Sequence, residues 1–220
     1  MVEYEQTARN AVRRYPGRGS YDRATIDPIV DAALICHVGF VVEGQPFVIP
    51  TLHARDEETI LLHGSVGSRL LQHAATGAPL CITITHIDGL VLARSSFNHS
   101  INYRSAVLFG VGRVVEEEGE KREALRRFTE RLLPGRWDDA REPNRKEILA
   151  TGVIAVAIES ASAKTRSGPP GDDEADLALP VWAGVLPVAE RFGVPIPATA
   201  DAPTPPLPDY LTRYLATRRA

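Results

Sequence analysis

The chain has 220 residues, of which 44% are hydrophobic and 24% are charged, and its formal net charge is -3. This length and composition fit one globular domain with a buried core, and they exclude an intrinsically disordered chain. The small negative charge gives no electrostatic support for binding to nucleic acid or to an anionic membrane surface. The first residues lack the apolar core of a signal peptide, and no apolar run is long enough to span a membrane, so we expect a soluble cytoplasmic protein.

The first predicted elements are a helix and a three-stranded meander. The helix covers residues 22–33, with Asp22 as its N-cap, and Pro28 is an alternative first-turn residue. Three strands joined by hairpin-length turns follow at 34–42, 47–55 and 60–64. Pro50 cannot donate a ladder hydrogen bond, so the second strand is predicted to be an edge strand or locally open there. An open strand edge can receive a ligand.

The segment ILLHGSVGSRLLQHA, residues 60–74, leads from an apolar run through a Gly/Ser turn into a helix. Gly64 and Gly67 allow a tight turn, and Arg69 lies in the first turn of the predicted helix. Free N–H groups at a helix start and a nearby arginine are typical ligands of a phosphate. The same pattern also fits a plain strand-turn-helix joint with an N-capping serine and a solvated arginine. This segment alone leaves both interpretations open.

The second half of the chain is predicted to be mostly strand, with one long helix. Further strands are expected at 79–87, 90–97, 102–115 and 153–166. Asp88-Gly89 has the composition of a hairpin turn, and Gly110 with Gly112 predicts a bulge or a sharp bend. An amphipathic helix at 118–135 has a predicted buried stripe of Leu125, Phe128, Leu132 and Leu133. Six or seven antiparallel strands with inserted helices favour a closed or nearly closed small barrel over a Rossmann sheet.

The C-terminal part differs in composition from the rest. It contains an acidic Gly/Pro loop around 172–176, a short apolar piece around Trp182 and a proline-rich run at 195–210, which is expected to be extended. A last short helix is predicted near 211–216. Their positions suggest the hypothesis that the acidic loop and the proline-rich tail cap a pocket.

Polar side chains are concentrated just before and within the start of the third of these strands. They are Ser96, Asn98, His99, Ser100, Asn102, Tyr103, Arg104 and Ser105. Because such groups are costly to bury without partners, they either face water or line a polar pocket. Next to a phosphate, Arg104 would be a second charge-assisted donor beside Arg69.

Other sequence motifs for chemistry are scarce. The sequence has no dinucleotide fingerprint, phosphate-binding Walker loop or nucleophile elbow, and its histidines show no paired metal-ligand spacing, so no metal site is expected. His63 follows a strand directly at the proposed phosphate turn, where it could donate to a ligand or exchange a proton, which makes it the candidate catalytic residue. A structural histidine is the alternative for His63.

The combination of HGSVGSRLL with NHSINYRSAVLFG, preceded by PGRGSYDR and followed by VWAGVLPV, resembles the pyridoxamine 5′-phosphate oxidase-like flavoprotein superfamily. It is most similar to the branch of small flavin-nucleotide-binding proteins related to nitroimidazole-resistance proteins. The resemblance covers roughly residues 14–190. It implies a mainly β fold with inserted helices, a Greek-key-like split β-barrel, in a homodimer that holds FMN at each of two subunit-interface sites. The whole chain, 1–220, is then one domain with an N-terminal helical extension to about residue 33 and a proline-rich C-terminal extension from about residue 190.

The resemblance also implies a set of cofactor-binding residues. The residues that bind the FMN phosphate in the family correspond to Ser68 and Arg69. The strand along the isoalloxazine corresponds to Ile49, Pro50, Thr51 and Leu52, and the residues beside the ribityl chain to His63, Gly64 and Ser65. Contacts from across the sheet or the dimer correspond to Asn102, Tyr103, Arg104 and Ser105, with Lys164 as a further contact and Trp182 as an aromatic from the partner subunit.

One departure from the family limits the function. True pyridoxamine phosphate oxidases carry basic and histidine-containing substrate motifs near the C-terminus, where this chain reads PVWAGVLPVAERFGVPIP. Vitamin B6 oxidation is therefore not expected. The leading prediction is an FMN-dependent oxidoreductase for a small molecule, with nitroreduction as one form of it. The alternatives are a non-catalytic flavin-binding or sensing module and a barrel that has lost the cofactor.

Overall fold

An antiparallel β-barrel forms the body of the protein in a computed structural model that describes residues 2–198 and 205–217. The strands are β1 (Gly19–Ser20), β2 (Ile35–Val42), β3 (Gln45–Asp56), β4 (Thr59–Ser65), β5 (Pro79–Leu92), β6 (Ser100–Val114), β7 (Thr151–Arg166) and β8 (Gly184–Pro187). The α-helices are α1 (Arg23–Ala32), α2 (Arg69–Ala74), α3 (Glu118–Leu132), α4 (Arg136–Asp139), α5 (Arg145–Ala150) and α6 (Asp209–Thr217). The predicted mainly β fold is confirmed.

The barrel closes because β6 pairs with β7 as well as with β5. The strand order is β1-β7-β4-β3-β2-β5-β6, and β8 adds to β5. Ile60, Leu62, Ile82, Leu108 and Val156 are at most 1% exposed and lie in the main core cluster. Closure pairs strand edges that would otherwise be exposed, and it confirms the predicted split-barrel architecture.

β3 has a free edge around Pro50. Its pairing with β2 runs from Gln45 to Leu52, whereas its pairing with β4 runs only from His53 to Asp56. Pro50 therefore lies where β3 has one neighbour, which suits a residue without an N–H group. The predicted local opening is confirmed.

The predicted hairpin turn at Asp88-Gly89 is wrong. β5 continues through these residues, with only a bulge there. Arg104 of β6 donates hydrogen bonds to the Asp88 carboxylate, from Nη2 at 2.8 Å and from Nε at 3.0 and 3.2 Å. β8 passes so close that a Cβ atom at Gly89 would lie 2.9 Å from Cγ1 of Val185. These tertiary contacts keep the strand extended, and the chain turns at 93–99 instead.

The predicted bulge at Gly110 is confirmed. The register between β6 and β7 shifts between Phe109 and Gly110, and a Cβ atom at Gly110 would lie 2.0 Å from the carbonyl oxygen of Ala157. Only glycine allows the two strands to approach this closely.

The helix predictions hold in outline. Asp22 caps α1 and accepts a hydrogen bond from the Ala24 N–H at 3.1 Å, so Pro28 as an alternative first-turn residue is wrong. In α3 the predicted stripe is only partly buried: Phe128 is 4% exposed, but Leu132 is 38% exposed. Leu132 is the last residue of α3, and it lines a cavity beside this face. None of the helices in the described residues is long and apolar enough to cross a bilayer.

Before α1 the chain contributes only the two-residue strand β1 to the barrel, and the acidic loop lies outside the strands. Residues 2–22 contain one 3-10 turn, at Pro16–Arg18, and no α-helix, so the predicted N-terminal extension is helical only in α1. In the acidic loop, Asp172 accepts hydrogen bonds from the Arg94 backbone N–H at 2.7 Å and from its guanidinium at 2.6 Å. The predicted extended proline-rich run includes residues 199–204, which lie outside the described residues, and the predicted last helix is confirmed as α6.

Candidate functional site

The open edge of β3 brings the first group of predicted site residues together. Ile49, Pro50, Thr51 and Leu52 lie on this edge, and β4 ends beside it with His63, Gly64 and Ser65. The next element is α2, which begins after Ser68. The guanidinium carbon of Arg69 lies 4.5 Å from the ring centroid of Phe47 on β3. The open edge of β3, the turn after β4 and the start of α2 therefore lie around one surface.

Arg69 is the free cation of this surface. It is exposed and has no carboxylate partner among the described residues. Ser68 occupies the N-cap position of α2, but its side chain makes no capping hydrogen bond, so its hydroxyl is available. Because α2 is only six residues long, the charge of Arg69 is the main attraction for an anion here.

A cavity of about 430 Å³ adjoins the same strands. It lies between Leu52 and His63 on one side and the inserted helices α3 to α5 on the other, with Phe128 and Trp137 in its wall. Arg141 lines it as well and pairs with Glu147 at 2.8 Å. The wall is mostly apolar, with a few polar groups, as is usual for a cofactor or small-molecule site.

His63 is the ionisable group at the base of this cavity. Its ring centroid lies 4.2 Å from that of Phe128, and its Nδ1 is buried without a hydrogen-bond partner among the described residues. Desolvation by burial lowers the pKa of His63 below its ordinary value, which favours the neutral imidazole at neutral pH. A neutral imidazole with an unused ring nitrogen can bind a metal centre or accept a proton.

The second group of predicted residues lies elsewhere on the barrel. His63 is opposite Val153 on β7, whereas Ser105 is opposite Lys164, eleven residues further along the same strand. At about 3.3 Å per residue this is about 35 Å along the strand. The two groups therefore do not meet within one chain.

Two members of the second group already have partners. Arg104 is held by Asp88, and Asn102 is buried, donates to the Gly168 carbonyl at 3.1 Å and accepts from Arg166. Arg104 therefore does not form a phosphate clamp with Arg69 in the single chain. Its carboxylate partner neutralises the charge that such a clamp requires.

Tyr103 and Trp182 lie apart from the first group. Tyr103 is opposite Arg166 on β7 and Ile87 on β5. Trp182 precedes β8 and is 67% exposed, with its ring packed against Gly184. The single chain therefore leaves Trp182 largely uncovered.

The helical wall of the cavity is the part of the site that the sequence reasoning missed. α4 and α5 were not predicted, although Asn144 and Glu147 form a capping box, with bonds of 2.8 and 3.0 Å, that marks the start of α5. The Arg69 guanidinium stacks on the ring of Phe47, and no feature of the sequence around Phe47 indicates this contact. In residues 2–198 and 205–217, no three His, Cys, Asp or Glu side chains are grouped so that they could hold a metal ion.

The closed antiparallel barrel with one open strand edge defines a split-barrel protein. The family model described as pyridoxamine 5′-phosphate oxidase matches residues 22–165, and the chain belongs to this family. No curated protein matches the chain.

Several solved structures share the fold. The flavocytochrome Anf3 of Azotobacter vinelandii is 39% identical over 94% of this chain and 96% of that one, with a TM-score of 0.88. A protein of Mycobacterium smegmatis described as binding FAD and haem is 37% identical over 89% of this chain and 96% of that one, with a TM-score of 0.85. A candidate 5-nitroimidazole antibiotic resistance protein of Bacteroides thetaiotaomicron is 24% identical over 66% of this chain and 85% of that one, with a TM-score of 0.55, and shows a common fold.

Proposed function

We propose that this protein is a flavoprotein that acts as an oxidoreductase on a small molecule, with its flavin along the open edge of β3. The observation that carries the proposal is Arg69, a cation without a carboxylate partner in the described chain, beside a strand edge without a neighbour. A phosphate pairs with such a cation, and unpaired strand N–H and C=O groups hydrogen-bond to a flat polar ring. When bound, the flavin supplies hydride or electron transfer.

The chain's own residues bind and orient the flavin. Arg69 and Ser68 hold the phosphate, Ile49 to Leu52 lie along the ring system, and Gly64 and Ser65 lie beside the ribityl chain. His63, which the resemblance puts beside the ribityl chain, instead lines the cavity next to α3. In this proposal Asn102 to Ser105, Lys164 and Trp182 reach the flavin from a second copy, because the single chain does not bring them to Arg69. The assembly is accordingly a homodimer.

FMN is the specific flavin that the sequence analysis predicts. The mycobacterial relative is described as binding FAD. FAD contains the whole of FMN, so Arg69 and the β3 edge can bind the shared part of both. Mass identification of the released flavin distinguishes the two.

A second cofactor is supported by the cavity at His63. His63 is half-buried and lines the cavity, and its Nε2 has no hydrogen-bond partner among the described residues, so Nε2 is available as a ligand. Together with the lowered pKa of His63 and the mostly apolar wall, this fits a haem group with His63 as iron ligand. The relatives at 39% and 37% identity are described by names that include a haem or cytochrome component. We therefore propose a flavocytochrome.

The absorption spectrum of the purified protein, with mass identification of what denaturation releases, tests both cofactors. The proposal predicts flavin bands together with a Soret band. A colourless protein that takes up neither FMN, FAD nor haem would contradict it. Oxidation of reduced nicotinamide with a nitroaromatic acceptor tests nitroreduction, and bound flavin without turnover of any acceptor would favour the non-catalytic flavin-binding or sensing module.

A further inference from the structure

The C-terminal helix α6 packs beside the turn between α3 and α4. Leu215 of α6 is 6% exposed, and the ring of Tyr214 packs edge-on against that of Phe192, with the centroids 5.5 Å apart. Gly135, in the turn, has a φ of 87°, and a Cβ atom there would lie 3.2 Å from Cβ of Tyr210. Packing therefore anchors α6 and brings Tyr210 directly against the start of α4.

The helix α4 is too short to fix its own position. It has four residues, Arg136–Asp139, and its N-cap, Gly135, has no side chain that could accept from the free N–H groups. The Glu130 carboxylate of α3 takes this role, because it accepts the Gly135 N–H at 2.8 Å and the Trp137 N–H at 2.9 Å. These bonds hold only the beginning of α4.

Tyr210 of α6 holds the end of α4. Its hydroxyl donates to Oδ2 of Asp139 at 2.6 Å and accepts from Nη1 of Arg136 at 3.0 Å. Arg136 and Asp139 also pair with each other at 3.0 Å, and each side chain is 49% exposed. An exposed ion pair within one short helix contributes little by itself. The Tyr210 hydroxyl joins this pair to a helix that is anchored elsewhere.

The position of α4 matters because α4 forms part of the wall of the cavity of about 430 Å³. Trp137 lines this cavity, and Ala140, which follows α4 directly, lines it as well. Leu52 and His63 lie on the other side. A movement of α4 away from the barrel would take Trp137 out of the wall and open the cavity to solvent.

We propose that α6 acts as a latch, in which Tyr210 holds α4 over this cavity and slows the release of the molecule inside. Closure of a lid over a site often limits the rate of release. Tyr210 does not line the cavity itself, so its role is to position the wall. The identity of the occupant as haem rests on the proposed function, whereas the latch does not.

Amide hydrogen exchange of the full-length protein tests the latch without a cofactor. Tyr210→Phe removes the hydroxyl and keeps the ring. We expect residues 136–140 to exchange at least about ten-fold faster than in the wild type, because the end of α4 loses its tether. α6 should keep its wild-type exchange rate, because Leu215 still anchors it. Wild-type exchange of 136–140 in Tyr210→Phe, or equally accelerated exchange of α6, would overturn the proposal.

Tyr15→Phe is the matched control. Tyr15 is 54% exposed and lies in the N-terminal segment, where the Arg18 guanidinium carbon is 4.5 Å from its ring centroid. It does not line the cavity, so this variant should exchange like the wild type in both segments.

The rate at which bound hemin transfers to an excess of apomyoglobin tests the consequence for the cavity. Tyr210→Phe should release hemin at least about ten-fold faster than the wild type and Tyr15→Phe. Flavin should leave at the wild-type rate, because α4 does not form the surface around Arg69. Equal hemin release by the wild type and Tyr210→Phe would overturn the control of the cavity by α6. A protein that takes up no hemin would contradict the haem proposal, and amide exchange would still decide whether the latch exists.

Discussion

At the scale of single residues, the structure separates histidines that pack from the one that faces a cavity. His53 is 2% exposed and donates to the Val30 carbonyl at 3.1 Å, and His86 donates to the Ile29 carbonyl at 2.9 Å. His73 stacks on Phe40 at 4.9 Å. His63 can be identified in the sequence by its position at the end of a strand. The cavity cannot, because it depends on where the later helices pack.

Replacing His63 with alanine tests the proposed haem ligand. We expect His63→Ala to weaken haem binding at least about ten-fold while flavin remains bound, because the iron loses its nitrogen ligand. Added imidazole should restore the Soret band by entering the space that the side chain leaves. His37→Ala, at an exposed position, is the control. A Soret band of wild-type intensity and position in His63→Ala would contradict the assignment.

The buried His53 predicts how stability changes with pH. Desolvation by burial lowers the pKa of His53 in the folded protein, whereas a histidine of the unfolded chain titrates at about pH 6.5. The unfolded state therefore binds the proton more readily, so stability is present above about pH 6.5 and is lost as the pH falls below it.

The measurement is the free energy of unfolding in urea between pH 7 and pH 5. His53→Gln keeps an amide that can donate to Val30 but does not titrate, so its stability should fall less steeply than that of the wild type. Equal slopes for the wild type and His53→Gln would show that His53 does not contribute.

At the scale of elements, local sequence signals predicted β2, β3, β4, β6, β7 and α3 because their periodicity agrees with the face that each one buries. Local sequence signals predicted the wrong element where tertiary contacts determine the backbone conformation. Asp88-Gly89 has the composition of a turn, yet Arg104 and the neighbouring β8 hold it in a continuous strand. β8 itself is four residues long, which is too short for periodicity to be informative.

The bulge at Gly110 gives a prediction for the β6–β7 pairing that closes the barrel. A Cβ atom there would overlap the Ala157 carbonyl, so Gly110→Ala should lower the free energy of unfolding by about 3 kcal/mol. Gly171→Ala, where a Cβ atom would meet nothing within 4 Å, should change it by less than about 0.5 kcal/mol. Urea denaturation measures both, and equal stabilities of the two variants would contradict the close approach.

At the scale of the whole molecule, the resemblance predicted the barrel, and the structure confirms it. The assembly remains a prediction, because a single chain leaves the two groups of site residues about 35 Å apart along β7. No local pattern in one sequence determines which surface meets a second copy. The exposed Trp182 and the exposed apolar side chain of Val48, next to Ile49 on the open strand, are consistent with a partner.

Light scattering tests the predicted homodimer. We expect twice the chain mass of 24.0 kDa for the wild type. Val48→Glu should weaken the dimer at least about ten-fold, because it places a charge where the proposal puts an apolar contact. Val48 is 65% exposed and Val2 is 63% exposed, so Val2→Glu is a matched control that should stay dimeric. A monomeric wild type at micromolar concentration would contradict the prediction.

The central claim is that Arg69 and the open edge of β3 bind a flavin nucleotide, and the most direct test compares FMN with riboflavin. Both ligands share the ring and the ribityl chain, and only FMN has the phosphate. We expect Arg69→Gln to weaken FMN binding at least about ten-fold and to leave riboflavin binding unchanged, because the lost bond is charge-assisted. Arg14→Gln should leave both affinities unchanged. Equal losses of FMN and riboflavin in Arg69→Gln, or no loss of either, would contradict the account.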